Sequence, residues 1–322
     1  MDLHYFEYHK LYVIGNGFDI HHDIYSTYKR FKSYLQSNYP NVYDNLTRLY
    51  GNLSVEWWRT FEESLTEFDP DKYPKEVADK SFFEQLNVLV ERYGEKGRDF
   101  MDWFQIQEKN GINNKYARAE QMARFEMAQL KNDLNDAFAS WVKQLEKPNE
   151  LKKIDNLDTN AFFFTFNYTK TLEELYGIDD DQVVHLHGSV DNNIFIIGHN
   201  LTAEQMINRD FERHALERVE NWDGAEGEAR IAMFNAAEEF KKPVDEIIDQ
   251  YRYKFNSLGN IEEIEVLGMS YSPIDIPYLL RILEVTGKDV KMILGWHSDT
   301  DKDNAENFAQ KAELTNYELI EF

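Results

Sequence analysis

Short apolar runs that stop abruptly at a glycine, an asparagine or a histidine recur along this chain. Leu11-Tyr12-Val13-Ile14 breaks into Gly15-Asn16-Gly17-Phe18-Asp19, Ala161 to Phe166 runs into Asn167, and Val183 to Leu186 runs into His187-Gly188. Further runs cover Ile194 to Ile197, Ile264 to Leu267, Val290 to Leu294 and Tyr317 to Phe322. Short, largely apolar runs of this length read as strands, and strands alternating with helices make a mostly parallel, doubly wound sheet. The expected fold is therefore a Rossmann-like α/β domain of about six strands spanning the whole chain, residues 1–322.

Helical spacing fills the intervals between the runs. A helix is predicted over Ser26 to Gln36, capped by Ser26 or Thr27, with Tyr28, Phe31 and Leu35 on one face. Between residues 43 and 150 the strand signal disappears, and Val55, Trp58, Phe61, Leu65 and Phe68 recur at three and four residues. A long helix is predicted from Tyr116 to Leu145, striped by Met127, Leu130, Leu134, Phe138 and Trp141, with Pro148 ending it. A second acidic helical insertion covers residues 203–258, with a mobile loop expected at Asn221 to Glu228, around Gly227. Helices from Pro273 or Asp275 to Glu284 and from Ala305 to Leu314 separate the last strands.

Composition narrows the functional classes. With 35 basic against 59 acidic residues, the formal charge of −24 disfavours a protein that grips a phosphate backbone, so nucleic acid is an unexpected partner. A nuclease would also need a carboxylate–metal cluster that the sequence does not display. The chain has no cysteine, which excludes disulfides and thiolate zinc sites. No apolar run is long enough to span a membrane and the first ten residues lack a signal-peptide core, so a cytoplasmic location without a membrane partner is expected.

Ligands in open α/β sheets sit outside the carboxyl ends of the strands, so the residues at those ends are the candidate site. In Gly15-Asn16-Gly17 the glycines permit close backbone approach, either for a tight strand–helix turn or for a pyrophosphate at the helix start, with Asp19 available to ribose hydroxyls. Asn167 is either a turn residue or an amide that holds a ribose hydroxyl or a water. Of His185 and His187 at the end of their run, one is expected to line the cleft. His187 abuts Gly188 and is the candidate general base, and His185 is assigned to the core or to support. His199 and His297 also close apolar runs. No close ligand pair shares a helix face, and no metal is expected. After Ile264 to Leu267, Gly268-Met269-Ser270 can accommodate an adenosine ribose or phosphate, and Asp275 either joins that contact or caps the next helix.

These motifs, with Thr27-Tyr28, Tyr168-Thr169, Ile197-Gly198-His199-Asn200 and Tyr271-Ser272-Pro273-Ile274-Asp275, together resemble the AbiH family of bacteriophage abortive-infection proteins over nearly the whole chain. That family in turn resembles the sirtuin-like NAD-binding fold. By that resemblance Gly15 and Gly17 match the glycine-rich NAD turn and Asn167 the asparagine of the Thr-Gln-Asn-Ile-Asp motif. His187 matches the catalytic histidine before Gly-Ser, and Gly268 with Ser270 the Gly-Thr-Ser turn. Tyr168-Thr169 replaces Ile-Asp, Asp23 stands where many AbiH relatives carry glycine, and the zinc cysteines are missing, which argues against peptide deacylation.

The resemblance implies an antiphage effector that hydrolyses NAD to nicotinamide and ADP-ribose, or to a cyclic product, with NAD as substrate. Asn167 and His187 would be catalytic, and Gly15, Asn16, Gly17, Phe18, Asp19, His199, Gly268, Ser270 and Asp275 would bind the nucleotide. The alternatives are a non-catalytic NAD or ADP-ribose sensor that signals by oligomerising, and a nuclease. The aromatic helical insertions are the expected surfaces for self-association or for a phage-derived trigger.

Overall fold

A computed structural model describes residues 8–51, 53–68, 82–109, 115–214 and 225–322. Six strands, β1 Lys10–Ile14, β2 Phe162–Thr165, β3 Val183–His185, β4 Glu263–Leu267, β5 Lys291–Trp296 and β6 Tyr317–Glu321, form one all-parallel sheet in the order β3-β2-β1-β4-β5-β6. On the first strand, Leu11 pairs with Phe162 on one side and Ile264 on the other. The chain winds outward in one direction from β1 to β3 and in the other from β4 to β6. The crevice between β1 and β4 at their carboxyl ends is thus the topological switch point, where such sheets bind ligands.

Alternate side chains on each strand enter separate cores. Leu11, Val13, Phe162, Phe164, Val184, Ile264, Val266, Met292 and Leu294 pack on one face with the helices Val244–Gln250, Ile276–Thr286 and Asp299–Lys311. Tyr12, Ile14, Phe163, Val183 and Leu267 face the other way, toward the helices Asn16–His21 and Thr171–Tyr176. The paired Tyr12 and Phe163 stack with ring centroids 5.1 Å apart. Burial on both faces explains why β1 and β2 read as continuous apolar runs, whereas β4, β5 and β6 carry Glu or Lys at positions that are not buried.

Several local expectations are corrected. Ile194 to Ile197 is no strand: Gly188 at φ +89 turns the chain back, Ile196 N donates to the His187 carbonyl (3.0 Å), and Phe195 and Ile197 are buried as loop residues. The helix after β5 begins at Asp299 rather than Ala305, because Ser298 and Asp301 form a reciprocal capping box. The stripe from Val55 to Phe68 is broken at Thr60 into Val55–Arg59 and Phe61–Ser64, and Val55 is exposed. The predicted helix at Ser26 starts at Tyr28, and the long helix runs Lys115–Val142. Of the loop expected at Asn221 to Glu228, residues 221–224 lie outside the described residues, and Gly227 is inside the helix Ala225–Ala237.

The chain divides into two compact units. The sheet unit holds residues Met1–Ser37, Asn135–Asn200 and Lys242–Phe322, and the second, helical unit holds Asn38–Leu134 and Leu201–Lys241. Inside the helical unit Trp58 stacks on Phe61 (5.4 Å), the Phe68 and Phe234 rings meet at a tilt (4.8 Å), and the buried Glu126 is paired with both Arg48 (2.5 Å) and Arg92 (2.6 Å). Removing either arginine would leave the buried carboxylate under-paired, which is costly in the interior.

At the switch point of the sheet unit, three glycines interlock. Gly15 N donates to Leu267 O (2.9 Å) and Gly17 N donates to Gly268 O (2.7 Å). A Cβ on Gly15 would lie 2.6 Å from Gly268 O, and one on Gly17 would lie 2.7 Å from Gly268 Cα. Gly268 itself has φ +67 and would meet the Phe18 backbone nitrogen with any side chain. Both the left-handed backbone and the contact oppose substitution. Gly268→Ala is expected to cost about 2–4 kcal/mol, measured as a shift in the denaturant midpoint.

Candidate functional site

Asn167 and His187 both follow sheet strands and are both buried. Asn167 leaves β2 two residues after Thr165, whose Oγ1 accepts the Asn167 backbone N–H (3.1 Å). Its side-chain Nδ2 donates to Gly15 O (3.1 Å), and its carbonyl faces His185 Nδ1 (2.8 Å). His185 Nε2 meets Glu173 Oε1 at 2.9 Å. His185 therefore supports Asn167. Two residues apart on a continuous strand it would share a face with His187, but β3 ends at His185 and the turn closed by Gly188 N–H on His185 O separates the two rings.

His187 is 3% exposed, with its ring 5.1 Å from Phe166 and 5.6 Å from Tyr278. Lys242 Nζ lies 3.3 Å from Nδ1, and the Tyr278 hydroxyl 3.3 Å from Nε2. A lysine ammonium can only donate, so Nδ1 accepts and the ring hydrogen sits on Nε2, facing Tyr278. Burial, reinforced by the Lys242 charge, drives the imidazole well below its ordinary pKa, so His187 is neutral at pH 7. Lys242 is itself only 1% exposed. Nothing in the sequence tied Lys242 or Tyr278 to His187; the dibasic Lys241-Lys242 before Pro243, inside an acidic stretch, was the one available signal for the lysine.

The nucleotide contacts expected around Gly15 are corrected. The N–H groups of Gly15 and Gly17 are consumed by the β4 end, so they cannot also cradle a pyrophosphate. Phe18 is a core residue, packed with His22 (4.5 Å) and Tyr176 (6.0 Å). Asn16 is exposed and exchanges hydrogen bonds with Ser26, donating to its carbonyl (3.1 Å) and accepting from its hydroxyl (2.6 Å). Asp19 is 1% exposed and unavailable to a ribose. Thr169 Oγ1 donates to its Oδ2 (2.6 Å) and Thr171 Oγ1 to its Oδ1 (2.7 Å).

The remaining candidates fall into two places. His199 is buried, and its carbonyl accepts Lys242 N–H (2.7 Å), which brings it beside the Lys242–His187 pair. Asn200 Nδ2 donates to Pro273 O (2.8 Å), two residues before Asp275. Asp275 occupies the N-cap position of Ile276–Thr286, the helix that carries Tyr278, without a side-chain cap bond. Ser270 is exposed next to the glycine junction, and its carbonyl holds Asn304 Nδ2 (3.1 Å). His297 lies apart, against the Phe322 carbonyl (3.3 Å). Among the described residues, no group of three His, Asp or Glu side chains is arranged to hold a metal ion, and no helix is long and apolar enough to cross a membrane.

Burial is the largest influence on Asp19 and pushes its carboxyl up to about 6, against the bonds from Thr169, Thr171 and Asn167 and the charge of His185. The folded state therefore favours the protonated acid. That contribution to stability is fully present below the unfolded value near pH 4 and is lost as pH rises through about 6. Asp19→Asn, which cannot ionise, is expected to abolish a stability loss of about 3 kcal/mol between pH 4 and pH 8, read from denaturant titrations of both proteins.

No curated protein and no solved structure matches the chain, so the sirtuin-like resemblance gains no support from a known fold. A family model for bacteriophage abortive infection AbiH matches residues 11–296, from the first sheet strand to the end of β5. That span takes in the glycine junction, Asn167, His187, Lys242 and Tyr278, and this chain belongs to the AbiH family of bacteriophage abortive-infection proteins.

Proposed function

We propose that this protein carries out its abortive-infection role by hydrolysing NAD at the nicotinamide glycosidic bond. The observation that carries this reading is the strand order β3-β2-β1-β4-β5-β6, which is the order of dinucleotide-binding sheets, with Asn167 and a neutral His187 following β2 and β3 at the ligand-binding edge. Fold order alone is an analogy, so the assignment leans on these two side chains.

In the proposed reaction the bond from the ribose carbon to the nicotinamide nitrogen breaks, and a bond from that carbon to a water oxygen forms. Nicotinamide leaves with the bonding electron pair, and positive charge develops on the sugar. Asn167 positions the water or a ribose hydroxyl, and His187 takes the proton. With Nε2 already protonated, Nδ1 is the basic atom, and Lys242 must withdraw from it before the ring accepts a proton. The anionic diphosphate of NAD supplies a charge that favours this withdrawal. The Gly15 and Gly17 amides have no part in this scheme.

The sensor alternative draws on one specific observation: His187 is enclosed, with both ring nitrogens engaged by Lys242 and Tyr278. A pure sensor binds NAD without releasing nicotinamide. The two readings separate when the purified protein is incubated with NAD, with and without lysate from phage-infected cells, and nicotinamide and ADP-ribose are followed by chromatography. Wild type is expected to release nicotinamide, and His187→Ala and Asn167→Ala to lose at least ~10²-fold in rate. Binding without release under every condition supports the sensor, and neither binding nor release removes NAD from consideration.

A further inference from the structure

The reading of Asn167 as the residue that orients water or ribose raises the question of what sets its own amide. Asn and Gln amides can flip, and an amide presenting the wrong end would offer a donor where the reaction needs an acceptor. Gly15 O is an acceptor, so the nitrogen end must face it, which leaves Oδ1 as the end directed elsewhere. The backbone of Asn167 is held at N–H by Thr165 and at C=O by His185, which is backed by Glu173. The loop that follows is tied by Thr169 and Thr171 to the two oxygens of one buried carboxylate, Asp19.

Asp19 lies four residues after Gly15, on the helix Asn16–His21. The same short segment therefore supplies the carbonyl that fixes the Asn167 amide and the carboxylate that anchors the Asn167 loop. A carboxylate enclosed in the protein is costly for a purely structural tie, which a neutral side chain could make more cheaply. Its hydrogen-bonding neighbours Thr169, Thr171 and Asn167 are uncharged, and His185 is the titratable group that acts on it by charge.

We infer that Asp19 is a positioning residue of the proposed reaction, clamping the loop through Thr169 and Thr171 so that Asn167 presents Oδ1 as the acceptor for water or a ribose hydroxyl. This rests on the NAD reading for its catalytic consequence, and the clamp itself is testable without it. Asp19 does not touch the substrate, and its effect passes through Asn167. Because its ionised form accepts from both threonines and favours the Asn167 donor, the acid limb of the rate profile belongs to this clamp.

Two readouts test the inference on the full chain. The first is the side-chain amide signal of Asn167 in nitrogen-15 NMR spectra, identified by its loss in Asn167→Ala. Asp19→Asn, and separately Thr169→Val, are expected to shift this signal and speed its exchange with solvent. The Thr169 variant keeps the carboxylate and the side-chain shape, and so serves if the Asp19 variant does not fold. An unchanged signal in both folded variants overturns the clamp whatever the activity. The second readout is nicotinamide release, for which kcat is expected to fall roughly 10–100-fold with little change in KM and with the Asp19 acid limb lost in Asp19→Asn. A shifted signal in variants that retain the wild-type rate and pH profile overturns the catalytic role. A shifted signal in a protein whose wild type releases no nicotinamide supports the clamp and counts against the NAD reading alone.

Discussion

The close approach of the β1 turn to the end of β4 is the constraint on which the sheet unit depends. Gly17 donates to Gly268 O, and Gly15 and Gly17 each leave no room for a Cβ against Gly268. This contact joins the two half-sheets at the point where the winding direction reverses. It also defines the edge beside which Asn167 and Asp19 lie. In dinucleotide-binding sheets the corresponding glycines let a pyrophosphate approach the backbone. Here the same freedom is used for backbone-to-backbone packing, and the space a phosphate would need is filled by the β4 turn.

Around that junction the buried polar groups are held in linked sets. Asp19 is satisfied by two threonines, Asn167 is held at its backbone N–H, its carbonyl and its side-chain amide, and His187 is engaged at both ring nitrogens. His22, at the other end of the same short helix, is also set on both nitrogens: Nδ1 donates to Phe18 O (2.6 Å) and Nε2 accepts from the Tyr176 hydroxyl (2.7 Å). In a low-dielectric interior an unpaired polar atom is expensive, so each of these groups carries information about its neighbours. The buried His187 is kept neutral by its enclosure and is fixed between Lys242 and Tyr278.

The strand ends were legible in the sequence because burial on both faces of a parallel sheet leaves an unmistakable apolar run. Leu11 to Ile14 and Phe162 to Thr165 pair as that pattern implies, and Ile264 to Leu267 joins them although Glu265 interrupts its run. Ile194 to Ile197 carried the same local signal, and there the signal misled. Phe195 and Ile197 are buried against neighbouring side chains such as Tyr168 (5.7 Å from Phe195), without a partner strand. An apolar run reports burial, and only strand pairing decides whether the buried segment joins a sheet. Asp23 gives a different case: it has φ +60, a backbone state that glycine adopts without cost and aspartate only with local support, here from Asn149 Nδ2, which donates to its carboxylate (2.7 Å).

The sequence by itself determined the fold class, the carboxyl-end position of Asn167 and His187, and the absence of cysteine chemistry. These follow from local periodicity, from where apolar runs stop and from composition. The tertiary structure decided which side chains meet. Lys242 and Tyr278 reach His187 across 55 and 91 residues, and Asp19 reaches Thr169 and Thr171 across 150 and 152. Contacts at such separations arise from strand order and helix packing, which no local pattern encodes. For the same reason the turn Gly15-Asn16-Gly17 looked open to a phosphate in one dimension and is occupied by Gly268 in three.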